Sequence, residues 1–395
     1  MSTDRTLIID GHVDVLAVDG EYTFPLDAAI AGGLAAAVIP VRAGLIPRSA
    51  APGAGAAEHE QSFAAIERVV AGSGGRAAVA PTPDAVVDNA ADGVFSIVLG
   101  FQNARPLADL AAIERWLDRG VSVFDFGFIG NNRWATSSRP YPYAGVDVDH
   151  DGLSPAGAEA VALLNERRVV LDTAQVSPRA RQQIVELSTA PVLASHNGLR
   201  AKVGEADRTI GDDEVRAIAE KGGVVQIVAF DGYHTPRGDH PRVVADIREL
   251  RERFGLRAHV GPSDYYALLD QETAGWDEQT FTDYFREYHA KVRHDWPRTD
   301  VERLIDSVDH VAELVGVDHV GLASDFHHGG GVAGWLDHTQ TPHVTAALRR
   351  RYDETDVAKI WGGNLLRLWR EVRADREAPV GAGAQPRRAA GPGRW

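Results

Sequence analysis

Four residues of ordinary metal-ligand type stand directly after short apolar runs: His12 and Asp14 in Gly11-His12-Val13-Asp14, His196 in Ser195-His196-Asn197, and Asp325 in Ser324-Asp325-Phe326. In an extended backbone, residues two apart project to the same side, so His12 and Asp14 can converge on one cation. Alone, the pair is better described as a strand-end histidine bonded to a capping aspartate; His and Asp recurring after two further runs turn the balance to the metal. Other apolar runs are followed by Phe101-Gln102-Asn103, Gly130-Asn131-Asn132 and Gln175. Arg208 could grip a substrate carboxylate through two parallel hydrogen bonds, or form a surface ion pair with Asp207 or Asp212. His327 and His328 read as loop residues on a Gly-rich segment, and His59, His240 and His294 lie in polar stretches and carry no signal. Residues 147–152 imitate the start of a calcium loop, but its twelfth position is Ala158, and Pro140 and Pro142 argue against a preceding helix.

The elements that must position these residues are legible as apolar or β-branched runs alternating with helical patterns. Strands are expected at 6–10, 34–41, 95–100, 121–126, 169–173, 191–195, 224–229 and 319–323. Ser154-Pro155 and Ser177-Pro178 each supply a helix N-cap with proline at the first helical position. Thr299-Asp300-Val301-Glu302 has the form of a capping box, opening a helix that runs to about Val315 before Gly316. Eight strands alternating with helices predict an α/β fold, a single (β/α)₈ TIM barrel, whose chemistry gathers at the C-terminal strand ends. The stretch 231–297 is too long for one connection and must hold extra helices before the eighth strand. Residues 1–376 are expected to form one domain, and 377–395, rich in Gly, Pro, Ala and Arg, a disordered tail.

Composition narrows the function. The chain has 395 residues, 44% hydrophobic and 25% charged, enough for a sizeable core. Its formal net charge of −15 disfavours nucleic acid and anionic lipid as partners. Cysteine is absent, which excludes disulfides, thiolate catalysis and Cys-type zinc sites. No apolar run is long enough to span a bilayer, and the N-terminus shows no signal-peptide pattern. A cytoplasmic protein is expected.

Together, Ile9-Asp10-Gly11-His12-Val13-Asp14, Gly100-Phe101-Gln102-Asn103, Ser195-His196, Asp207-Arg208, residues 320–326 and Gly362-Gly363-Asn364 resemble the membrane (renal) dipeptidase family of metallopeptidases, from about Leu7 to Trp369. The resemblance implies a barrel with a two-zinc centre that cleaves dipeptides, often as a dimer. It places His12 and Asp14 on the first metal and His196 on the second. Asp325 matches the aspartate that belongs to the first metal as a ligand and shuttles protons, and Arg208 the arginine that receives the substrate's terminal carboxylate. Three positions depart from the pattern. Gln102 stands for the bridging glutamate and Gln175 for the second metal's other histidine, and the Gly130-Asn131 region lacks a substrate-binding histidine, leaving Asn131 there. A neutral amide oxygen is a weaker zinc ligand and cannot offset the ion's charge.

The expected function is therefore metal-dependent hydrolysis of a dipeptide or related small amide, with one zinc ion and a carboxylate-bearing substrate. The alternative is a dipeptidase-like protein with an altered or lost metal centre, acting as a non-hydrolytic biosynthetic enzyme or binding an amino-acid-derived molecule.

Overall fold

A computed structural model describes residues 6–18, 21–42, 55–140, 148–204, 208–235, 241–257, 299–327 and 330–374, with scattered positions between 272 and 288. The barrel is made of β1 (Ile8–Asp10), β2 (Leu34–Arg42), β3 (Phe95–Gln102), β4 (Val123–Asp125), β5 (Val170–Asp172), β6 (Leu193–Leu199), β7 (Val224–Val228) and β8 (Val320–Ala323). They pair in parallel and in chain order. The seam between β8 and β1 is closed by single bonds: Gly11 N–H donates to Leu322 O at 3.1 Å and Asp325 N–H to His12 O at 2.9 Å. All eight expected strands are present, with ends shifted by a few residues.

These runs become strands because both faces are covered. In β2 every residue but Ala35 is buried, the pattern of a parallel sheet enclosed by helices. Ile39, Phe101, Phe124, Val225 and Leu322 belong to one continuous core with helix residues such as Ile113, Leu164 and Val308. The expected caps form. Ser154 accepts from Gly157 N–H at 3.0 Å and Ser177 from Ala180 N–H at 3.1 Å. The Thr299 capping box does not form. Asp300 caps the helix Val301–Val315 by accepting from Arg303 N–H at 3.0 Å. Thr299 instead donates its N–H to Asp231, tying the helix start to the end of β7. Gly316 ends the helix at φ +94°, a conformation that favours glycine.

Between β7 and β8 lies the helix Pro241–Arg253, and Leu250, Leu256, Phe281, Tyr284 and Tyr288 make a small satellite core there. That is the expected insertion. No helix among the described residues is long and apolar enough to cross a membrane. The calcium-loop look-alike is only partly described, and the tail at 377–395, His240, His294 and His328 lie outside the described residues.

Candidate metal and substrate site

Register sets the rim. Arg42 of β2 lies beside Gln102 of β3, Gln102 beside Asp125 of β4, and Asp125 beside Asp172 of β5. A repeated device fastens the strand ends. Asp10 accepts N–H bonds from His12 (3.2 Å) and from Ser324 at the end of β8 (2.9 Å). Asp125 accepts from Gly127 (2.7 Å) and from Gln175 after β5 (2.9 Å). Asp172 accepts from Ala174 (3.1 Å) and from Ser195 of β6 (3.0 Å). Each carboxylate thus turns its own chain and clasps the next strand, using charge-assisted bonds. Burial, and then its Asp172 neighbour, pushes the Asp125 carboxyl well up, and burial also raises Asp172. His338 donates from Nε2 to Asp10 Oδ2 at 2.8 Å. A Cβ at Gly11 would lie 2.2 Å from the Gln226 amide, so any side chain there would have to displace that amide. Turned to donate, that amide reaches Ser195 O at 2.8 Å and Gly11 O at 3.3 Å.

On this frame, His12 and Asp14 are buried, with Nε2 of His12 3.8 Å from Oδ1 of Asp14. Two ligands of one tetrahedral zinc lie about 3.4 Å apart, given bonds of about 2.05 Å. The pair is therefore close to ligand spacing. The other Asp14 oxygen, Oδ2, is 3.3 Å from Nε of Arg42, itself buried.

His196 stacks on His12 with ring centroids 3.7 Å apart and planes inclined by 17°. An imidazole presents its lone pair in the ring plane, and two nearly parallel planes so separated share no point near the rings. The two histidines therefore address two neighbouring positions rather than one ion. The ligand atoms of His12, Asp172 and His196 do lie within 4.8 Å of one another. Asp172, however, is engaged by three donors: the N–H groups of Ala174 and Ser195 and the Ser195 hydroxyl. With that hydroxyl given to Asp172, His196 Nδ1 must donate to Ser195 Oγ, 2.6 Å away. Its Nε2 then accepts from the Gln175 amide nitrogen at 3.0 Å. The lone pair that would hold an ion at the second position is occupied by Gln175.

Asp325 follows β8 in a left-handed conformation, φ +50°. Burial first, then the neighbouring Asp14 carboxylate, push its carboxyl up to about 7, against the opposing pull of Arg208, Arg42 and Arg139. Arg208 is buried at φ +71° and donates from Nη2 to His196 O at 2.5 Å. Its Nε and Nη1 are buried without a hydrogen-bond partner. The alternative ion pair with Asp212 is absent, since Asp212 pairs with His310 at 2.8 Å; Asp207 lies outside the described residues. Arg139 donates from Nη2 to the Tyr233 hydroxyl at 2.6 Å. Asn131 accepts through Oδ1 from Ser137 N–H at 2.9 Å, so its oxygen serves the loop.

Four residues the sequence reading passed over shape this rim: Arg42, Asp125, Asp172 and His59. His59 is buried, stacked on Phe101 at 4.5 Å, and bonded through Nε2 to Gln102 O at 3.1 Å. Burial lowers its pKa to about 4, so it is a neutral prop beneath Gln102. The signal was available: His59, Ser62, Phe63 and Ile66 share one helical face at intervals of three and four. His327 is a loop residue as expected, and its ring accounts for it, with Nδ1 2.6 Å from Asp14 O.

A family of known proteins matches this chain over residues 26–379: Membrane dipeptidase (Peptidase family M19). Among solved structures, the probable dipeptidase PvdM from Pseudomonas aeruginosa is 33% identical with a TM-score of 0.80, covering 93% of this chain and 96% of that one. A metallopeptidase from Rhodobacter sphaeroides, solved with a phosphinate mimic of L-Ala-D-Ala, shares the fold at 18% identity and TM-score 0.70, over 93% and 100% of the two chains. Among curated relatives, dipeptidase tcpJ of Claviceps purpurea is 25% identical over 79% of this chain and 59% of its own length. Mouse dipeptidase 3 is 22% identical over 76% and 50%. The chain spans between half and three-fifths of the length of these two relatives.

Proposed function

Because the chain belongs to the membrane dipeptidase family, we propose that it hydrolyses the amide bond of a small substrate ending in a free carboxylate, most simply a dipeptide. Arg208 carries the proposal. A guanidinium buried with Nε and Nη1 unbonded is costly, and a carboxylate relieves one of them in a bidentate contact shared with the second N–H of Nη2, whose first N–H goes to His196 O. His12 and Asp14 fit one ion at the first position, while the second position, with Gln175 on His196 and Gln102 in place of a carboxylate, does not fit the family's pair. When bound, such an ion polarises the carbonyl and acidifies water. The chain's own part is to orient and to move a proton. Arg208 fixes the carboxylate end and so aligns the amide with the rim. Asp325, with a carboxyl near neutrality, accepts a proton at its carboxylate and returns it to the leaving amine. Zinc as the ion and a homodimer belong to the same reading, supported by the family resemblance, and a cytoplasmic setting belongs to it on the cysteine-free composition alone.

The test is a panel of L,L and L,D dipeptides, each as free acid and C-terminal amide. Cleavage of free acids with the amides spared is expected. Cleavage of neither overturns the proposal, and equal cleavage of both removes Arg208 from it.

A further inference from the structure

We propose that Arg42 is the resident second cation of this site, a guanidinium ion-paired with Asp14 that takes over the charge role of a second metal ion and keeps that ion out. The inference rests on the one-ion reading above and adds the residue that enforces it.

Three observations from three strands converge. Arg42 ends β2, and its backbone N–H is 3.4 Å from Ser62 Oγ on the covering helix, which anchors the strand end. Its side chain turns inward: it is 7% exposed beside an Asp14 that is 1% exposed. A guanidinium stays charged in such surroundings, so a permanent positive charge sits against the carboxylate best placed to attract a cation. Its field also reaches Asp325, the other carboxylate of the rim.

Next to Arg42 in register stands Gln102, where the resemblance calls for a bridging carboxylate. The exchange is mutually consistent. A carboxylate there would balance a second ion, whereas a neutral amide leaves the carboxylates Asp14 and Asp325 to be balanced by fixed arginines and at most one ion. The third observation is the Gln175 amide donating to His196 Nε2. The stacked histidines still mark two side-by-side positions. At one, Asp14 has a guanidinium on its outer oxygen; at the other, an N–H donor fills the histidine lone pair. Two divalent ions beside a fixed guanidinium would leave uncompensated positive charge in a desolvated pocket, which is strongly unfavourable.

Gln102→Glu and Gln175→His together therefore do not suffice to rebuild a two-ion centre while Arg42 remains. The test measures zinc content and affinity after chelator stripping and reloading. It uses wild type, Arg42→Lys, Arg42→Met, and the Gln102→Glu/Gln175→His pair with and without Arg42→Met. Wild type and Arg42→Lys should hold one ion with affinities within about twofold, because charge is kept. Arg42→Met should bind it roughly tenfold tighter or more, since a like charge a few ångströms away is gone. The glutamine pair should hold one ion with Arg42 present and two with it removed. Two ions in the glutamine pair with Arg42 in place overturn the proposal, and this arm stands even if Arg42→Met fails to fold. Arg42→Met binding no tighter than Arg42→Lys overturns it as well. Peptide cleavage is not read here. An inactive protein with this zinc pattern would defeat the proposed hydrolysis and leave the role of Arg42 standing.

Discussion

Replacing Arg208 with methionine should separate function from stability in opposite directions. In the free protein the guanidinium makes one hydrogen bond, from Nη2 to His196 O, and leaves Nε and Nη1 buried without partners. Bonds to charged groups contribute about 1.5–3 kcal/mol each. A substrate carboxylate gaining two of them, less its own desolvation, should draw about 3–4 kcal/mol from Arg208. Methionine should then lower kcat/KM on a free-acid dipeptide by roughly 100- to 1000-fold, at about 1.4 kcal/mol per factor of ten. The already small rate on the amide should change little.

For folding, the sum runs the other way. The substitution orphans His196 O, at about 1–3 kcal/mol, but it relieves a buried cation whose desolvation costs several kcal/mol. Methionine inherits the same backbone at φ +71°, so that strain cancels from the comparison. Unfolding free energy, measured by urea titration, should be unchanged or higher. Held active sites commonly show this trade of stability for function. A loss of about 3 kcal/mol or more, with an unaltered ratio of acid to amide cleavage, would show that Arg208 is a structural tether of the β6 rim, and the substrate argument would fail.

His59 and His234 both have pKa values lowered to about 4, by burial first. Each contributes stability that is present above the unfolded value near 6.5 and lost as pH falls through 4, roughly 3 kcal/mol apiece. Asp325, raised to about 7, has the opposite sign: its contribution is present below the unfolded value near 4 and lost as pH rises through 7. Between pH 4.5 and 6 the two histidines add up to about 2.7 kcal/mol per pH unit to the slope of unfolding free energy, while Asp325 and the raised Asp125 and Asp172 carboxyls subtract from it. Changing both histidines to glutamine should make that slope markedly more negative in urea titrations; an unchanged slope would deny the histidines their part in it. Asp10→Ala leaves three donors without their acceptor (His12 N, Ser324 N and His338 Nε2) and should cost about 3 kcal/mol or more. Asp10→Asn, which keeps an acceptor oxygen for the two backbone groups, should cost less by thermal unfolding, and equal losses would deny Oδ1 its clasping role.

Much of the barrel was legible because a parallel strand covered on both faces must be nearly continuous in apolar residues, as residues 34–41 are. Chemistry at strand ends was legible for His12, Asp14, His196 and Asp325 because those residue types are conspicuous beside apolar runs. Arg42 was not, since a charged residue closing such a run reads as the strand meeting solvent. Its meaning depends on Asp14 of the neighbouring strand, an adjacency no local pattern encodes. Asp125 and Asp172 were hidden differently. An aspartate before a turn has an ordinary local explanation, and only the cross-strand bonds to Gln175 and Ser195 show that it joins two strands. The capping box failed because Thr299 and Asp300 compete for one helix start, and the Asp231 carboxylate near the end of β7 draws Thr299 away.

The clasps also explain how a rim can keep its shape while its ligands differ. In a centre organised by two ions, the metals themselves tie strands together, and exchanging ligands threatens the frame. Here Asp10 joins β1 to β8, Asp125 joins β4 to the turn after β5, and Asp172 joins β5 to β6, all through backbone N–H groups. Backbone donors are indifferent to the side chains at 42, 102 and 175. Those positions are therefore placed by bonds that their own identity does not affect, and each can carry a carboxylate, an amide or a guanidinium on the same scaffold. Chemistry at such a rim is set by a few side chains facing the pocket, and the fold constrains where they stand far more tightly than what they are.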